Sequence, residues 1–274
     1  MTVATQFLLQ KIKTALAEKI FNLSLQLNPE KFLWIERMGV PVGMQGERFK
    51  FMEDGLACIH ACDFLQKDDF INSYRSGADT GSWNGWNLRW RVRVVLWAAA
   101  WASKIRGDFV ECGVYKGGLT EAILNYLNFP SLGKNYHLFD TFNGFDTRLL
   151  HSHEEKVANH YQYKNCYDDV KKRFGSLPFI NIVRGSVPDT LQQAAISEVA
   201  LLSIDLNCVE PEIAAADHFW PMLTAGGLII LDDYGFSLHR AQKDAFDIWA
   251  AAHGVEILEL PTGQGLIIKP FIPN

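Results

Sequence analysis

Asp108-Phe-Val-Glu-Cys-Gly-Val-Tyr-Lys-Gly-Gly118 is the stretch on which the fold turns. A β-prone apolar run, Phe109–Cys112, ends in a glycine loop, and a helical pattern opens near Leu119. Strand, glycine loop and helix in immediate succession are the opening unit of a βαβ fold. Further short β-rich runs follow at His137–Phe139, Phe179–Val183, Ala200–Ile204, Leu228–Leu231, Val255–Leu260 and Leu266–Ile268, with helical stretches between most of them. The runs are nearly all apolar, as in strands covered on both faces of a parallel sheet. Only Pro261-Thr-Gly-Gln-Gly265 separates the last two runs, too little for a crossover helix, so they are expected to form an antiparallel hairpin. The sequence therefore predicts a doubly wound, seven-stranded α/β sheet whose last strand is antiparallel.

Composition narrows what such a fold can be doing. The chain has 274 residues, 48% of them hydrophobic, enough for one large core with an appendage. With 26 Lys+Arg against 31 Asp+Glu the net charge is −5, which argues against a nucleic-acid partner. The longest apolar run, Val94–Ala102, is about half of the ~18–20 residues that span a bilayer, so no membrane partner is expected. Cys58, Cys62, Cys112, Cys166 and Cys208 are scattered without a C-x-x-C pair, which fits a reducing, cytoplasmic setting. Residues 1–104 read as an N-terminal helical region serving as lid or oligomer contact, and 105–274 as the catalytic domain. Within the first, apolar residues at helical spacing over 1–28 predict a packing or dimer-contact helix, with a membrane-surface helix as the alternative. A Gly-punctuated stretch from Gly39 to Gly46 follows, and Leu88–Lys104 is helical again. Arg89, Arg91 and Arg93 read as a solvated helix start beside Trp86 and Trp90.

In open α/β sheets, ligands bind at the carboxyl ends of the strands, beside the point where strand order reverses. The first glycine loop lacks the G-x-G-x-x-G of a dinucleotide site and instead carries Glu111 just before Gly113. An acid there sits poorly beside a pyrophosphate and well beside an ammonium. Asp140 ends the second strand, where an acid can accept from ribose hydroxyls. Together they favour S-adenosylmethionine over NAD. An NAD-type enzyme stays as the alternative, as does a helix-capping role for both acids.

The fourth and fifth strands end in Leu202-Ser-Ile-Asp-Leu-Asn207 and Ile229-Ile-Leu-Asp-Asp-Tyr-Gly235. Neighbouring strands lie about 5 Å apart, so Asp205, Asp232 and Asp233 would converge. Three such carboxylates repel unless protonated or bridged, and an all-oxygen set suits Mg²⁺, Mn²⁺ or Ca²⁺. Helix capping is again the alternative for each.

Five stretches carry a family likeness: Glu111–Gly118, Asp140–Gly144, Arg184–Leu191, Ser203–Asn207 and Gly226–Gly235. In this order they resemble the macrocin O-methyltransferase family, Rossmann-like, metal-dependent sugar O-methyltransferases. The resemblance implies that Glu111, Gly113 and Gly117 hold the methionine part of the cofactor. It implies Asp140 for the ribose and Gly185 and Ser186 near the adenine, with Tyr115, Thr141 and Asp205 also among the cofactor-binding residues. It further implies a divalent cation on Asp205, Asp232 and Asp233, chelated by adjacent substrate hydroxyls. The expected partner is thus a small sugar-like acceptor, for an enzyme that is a homo-oligomer. Where the family has a second aspartate as general base, this chain has Asn207, whose amide cannot take a proton at neutral pH. Either the cation alone acidifies the acceptor hydroxyl or another side chain is the base, with His151, His153 and His239 as candidates; Asp205, Asn207 and His239 are taken as the candidate catalytic set. A non-catalytic, cofactor-binding protein is the alternative that Asn207 raises.

Overall fold

The computed structural model describes residues 50–271, apart from 153, 156, 157 and 159–162. The expected helix over 1–28, the stretch from Gly39 to Gly46 and His153 lie outside the described residues. The chain forms two compact units, residues 1–63 and 64–274. In the first, β1 (Phe51–Glu53) and β2 (Leu56–Cys58) pair antiparallel around Asp54-Gly55, both at positive φ, as a tight hairpin turn requires.

The second unit begins with α1 (Asp68–Asp79) and α2 (Arg89–Ala102). Both belong to the same unit as the sheet, α1 packed on α3 (Gly118–Leu127) and α2 on α3 and the sheet. Val92, Val95, Leu96, Ala98, Ala99 and Ala102 of α2 are buried, and the small residues let the helix lie close. The sheet contains β3 (Asp108–Cys112), β4 (Tyr136–Asp140), β5 (Ile180–Arg184), β6 (Val199–Ile204), β7 (Leu223–Leu231), β8 (Leu258–Glu259) and β9 (Gly265–Ile268). Its order is β5-β4-β3-β6-β7-β9-β8, with β9 antiparallel to both neighbours. The seven expected strands, the terminal hairpin and the single reversed strand are all present. The sixth is shorter than its apolar pattern, because Leu258 and Glu259 are both exposed at the sheet edge. Among the described residues, α4 (Tyr167–Phe174), α5 (Val209–Phe219) and α6 (Arg240–His253) follow.

Strand order reverses between β3 and β6, where the site should lie. Register then decides what meets there. Phe139, Cys112, Ile204 and Leu231 form one row across β4, β3, β6 and β7. One residue further on, Asp140, Gly113, Asp205 and Asp232 stand side by side. The row is held by the amides of Gly113, Asp205 and Asp232, which donate to the carbonyls of Phe139 (2.9 Å), Cys112 (2.8 Å) and Ile204 (3.0 Å).

Gly113 is the tightest point of that row. A Cβ built on it would lie 1.8 Å from the Asp205 carbonyl oxygen, and its φ is +92°. Gly133 is also at positive φ but has nothing within 4 Å of such a Cβ. Gly113→Ala should cost about 3 kcal/mol by overpacking plus backbone strain, and Gly133→Ala only about 1 kcal/mol. Urea midpoints measure both. Equal losses would show that the contact with Asp205 is not the cause.

Candidate active site

At the end of β3, Glu111 is buried, and its Oε2 accepts from the hydroxyls of Thr120 on α3 (2.8 Å) and Tyr136 on β4 (2.6 Å). Burial pushes its carboxyl up to about 7 despite these two donors. The loop that follows turns through Tyr115 (φ 51°) and Gly117 (φ 81°) into α3. Asp140 holds this loop in place. Its Oδ2 accepts from the amides of Val114 and Tyr115, each at 2.7 Å, and its Oδ1 accepts from Phe142 N–H at 2.6 Å and Thr141 Oγ1 at 3.4 Å. Asp140 is therefore a loop anchor as well as the expected ribose acceptor. Gly185, Ser186, Glu111, Gly113, Tyr115, Asp140, Thr141, Asp205, Asn207 and Asp232 all line one cleft of about 1170 Å³, part of it open to solvent.

Across the switch point, Asp205, Asp232 and Asp233 each offer a carboxylate oxygen within 4.8 Å of the others. Asp205 is raised well above the usual carboxylate range, first by burial and then by Asp232 and Asp233. Asp233 is raised for the same reasons, against the opposing charge of Arg91. That arginine is the main correction to the sequence reading. Arg91 is not at a solvated helix start: its side chain is 11% exposed, and Nη1 lies 2.6 Å from Asp232 Oδ2 and 3.3 Å from Asp233 Oδ1. Its periodicity showed a helix but not that the first turn would end over the acidic cluster.

Asn207, at φ 59°, donates from Nδ2 to Asp205 Oδ1 at 2.7 Å, while its buried Oδ1 has no partner among the described residues. Glu212 in the first turn of α5 accepts from the amides of Leu206 (3.2 Å) and Asn207 (2.8 Å), fixing the loop that carries Asp205. Burial and the nearby Asp233 push Glu212 up to about 8. Sequence reasoning passed over it, although an acid in the first turn after a strand end is a recognisable helix-start signal. Gln264, in the hairpin turn before β9, donates to Asp232 Oδ1 at 2.9 Å. His239 is buried behind the cluster, with Nδ1 2.8 Å from Gln242 Nε2 and Nε2 3.5 Å from Asp233 Oδ2. His151 is exposed, and its amide donates to Glu154 Oε2.

The sequence model of the macrocin-O-methyltransferase (TylF) family matches residues 91–257. The chain belongs to this family. It is 25% identical over 193 residues to a tetracenomycin rhamnosyl 4'-O-methyltransferase of Streptomyces olivaceus, covering 62% of this chain and 66% of that protein. It is 27% identical over 184 residues to demethyldecarbamoylnovobiocin O-methyltransferase of Streptomyces niveus, covering 60% and 64%. The chain thus spans slightly less than two thirds of the curated relatives it matches. Among solved structures, the O-methyltransferase NovP superposes with a TM-score of 0.58 at 21% identity, over 66% of this chain and 80% of that one. A caffeoyl-CoA O-methyltransferase-like protein from Staphylococcus aureus gives 0.51 at 11%, over 76% and 95%. These structures share the Rossmann-like fold.

The raised carboxyl of Glu111 has a measurable sign. Its pKa is above the ordinary 4.5, so the folded protein binds this proton more tightly than the unfolded chain does. The stabilisation is complete below pH 4.5 and is lost as pH rises to about 7. Between those limits the wild type should lose about 3 kcal/mol relative to Glu111→Gln. Parallel stability curves for the two proteins from pH 4.5 to 8 would contradict this.

Proposed function

We propose that this protein is an S-adenosylmethionine-dependent, divalent-cation-assisted O-methyltransferase acting on a hydroxyl of a sugar or glycosylated natural product. One observation carries the reading. A single cleft joins the Glu111–Asp140–Ser186 side to the Asp205–Asp232 side, so a cofactor on one and an acceptor on the other would meet at the β3/β6 switch point. The family membership and the names of the two Streptomyces relatives support the same chemistry and acceptor class.

The donor set fits a hard divalent cation. Three carboxylates converge within 4.8 Å, and the buried Asn207 Oδ1 beside them has no partner among the described residues. When bound, the cofactor supplies the methyl group and the cation, Mg²⁺ or Mn²⁺ or Ca²⁺, lowers the pKa of the acceptor hydroxyl. The chain's own residues bind and orient. Glu111 offers its carboxylate to the methionine ammonium, the Gly113–Gly117 loop its backbone, Asp140 and Thr141 their oxygens to the ribose, and Gly185-Ser186 a turn beside the adenine. Asp205, Asp232 and Asp233 hold the cation, and Asn207 fixes Asp205. His239 faces the rear of Asp233 and does not line the cleft, so it acts as a positioning group for that carboxylate. Holding acceptor and methyl donor in line supplies most of the acceleration, and no dedicated base is needed. In the same reading the protein is a cytoplasmic homo-oligomer; residues 64–104, read from the sequence as part of a lid or oligomer contact, are packed in one compact unit with the sheet. Among the described residues no helix is long and apolar enough to cross a membrane.

Calorimetric titration with S-adenosylmethionine, its demethylated product and NAD, with and without Mg²⁺, tests the cofactor. Turnover on hydroxylated sugars, sugar nucleotides and glycosides tests the rest. Asp205→Ala should lower kcat/KM at least about 100-fold, some 3 kcal/mol of transition-state stabilisation, and Asn207→Ala less than about tenfold. Preference for NAD would overturn the cofactor assignment. Tight cofactor and cation binding without turnover, restored by Asn207→Asp, would show that a carboxylate base is indispensable.

A further inference from the structure

Each aspartate of the pair that ends β7 has one oxygen turned to a supporting partner. Asp232 Oδ1 accepts from Gln264 Nε2 at 2.9 Å, and Asp233 Oδ2 faces His239 Nε2 at 3.5 Å. The other two oxygens, Asp232 Oδ2 and Asp233 Oδ1, are those that Arg91 Nη1 holds at 2.6 and 3.3 Å. They are also the oxygens left to bind a cation. Arg91 reaches them from the first turn of α2, with its guanidinium carbon 4.5 Å from the centre of the Phe236 ring. It also lines the cleft, so its charge has an exit route.

An ion bonded to these oxygens at ~2.1 Å would sit within a few ångströms of Nη1 and repel it. A guanidinium is permanently charged and cannot give way by losing its proton. It can give way only by moving. One positive charge among three carboxylates is also an incomplete neutralisation, so a divalent ion has reason to replace it.

We propose that Arg91 is the resident counter-ion of the Asp205/Asp232/Asp233 cluster and that a divalent cation binds by displacing it. This rests on the cation site proposed above. Arg91 keeps the carboxylates paired in the cation-free protein, and the strength of its grip sets the apparent cation affinity.

The test is Mn²⁺ binding to the full chain, followed by electron paramagnetic resonance and calorimetry, in wild type, Arg91→Met and Arg91→Lys. Arg91→Met should bind Mn²⁺ at least about tenfold more tightly than wild type. Arg91→Lys keeps the charge but its chain is one bond shorter than the one that carries Nη1 to both oxygens, so its grip is weaker and it should gain about threefold or more. Without Mn²⁺, Arg91→Met should melt below wild type, and Mn²⁺ should raise its melting temperature more than that of wild type. If Arg91→Met folds poorly without the ion, Arg91→Lys carries the comparison. Adding Asp232→Asn to Arg91→Met should remove the gain; a gain that persists would place the ion elsewhere and overturn the proposal. Wild-type binding left equal or weakened by both Arg91 variants would overturn the competition and leave the cation site standing. Absence of Mn²⁺ binding in all three proteins would overturn both.

Discussion

Mutual repulsion among carboxylates is the constraint around which this site is organised. Asp205, Asp232 and Asp233 converge within 4.8 Å, in surroundings that raise Asp205 and Asp233 above the ordinary carboxylate range. Such a group persists only if each charge is offset by donors or cations, since leaving a buried charge unpaired costs several kcal/mol. The neighbouring side chains read as answers to that demand. Gln264 donates to Asp232, Asn207 to Asp205, and Arg91 to both aspartates of the β7 end.

The convergence itself is a product of strand register. Cys112, Ile204 and Leu231 are paired across β3, β6 and β7, so the next residue on each strand arrives at the same height. A one-residue slip in β6 would turn Asp205 to the opposite face of the sheet. Apolar pairing lower in the sheet fixes that register: Val110 with Leu202 and Leu202 with Ile229, all buried. The hydrophobic core thereby sets the electrostatic problem that the loops then solve. Glu212 extends the arrangement by one layer, since its grip on the Leu206 and Asn207 amides holds Asp205 in line.

What the sequence disclosed follows the same division. The strands, their parallel sense and the reversed final hairpin were legible because apolar runs and turn residues are local signals. Asp205, Asp232, Asp233, Glu111 and Asp140 were legible because they sit at strand ends, where α/β sheets place ligands. Arg91 was not, because its partners lie more than a hundred residues away and depend on where α2 crosses the sheet. Gln264 was hidden for a related reason: a turn glutamine reads as solvated until β9 is known to pair beside β7. Asp140 was legible as an acid at the right mouth but not as the anchor of the Val114–Tyr115 backbone, since that bond forms only once β3 and β4 lie adjacent.

Asn207 then takes on a physical meaning of its own. Its Nδ2 lies 2.7 Å from Asp205 Oδ1, and its amide is already pinned by Glu212. An aspartate in the same rotamer would bring a fourth carboxylate oxygen to that distance, where the pair must share a proton or recruit another cation. Asparagine instead turns the contact into a donated hydrogen bond and tolerates the left-handed backbone, φ 59°, that the loop needs. The cluster with Asn207 carries one negative charge fewer than it would with aspartate. A single guanidinium offsets a larger share of three carboxylates than of four. The amide at 207 and the arginine at 91 therefore act on the same quantity, the net negative charge of the cluster.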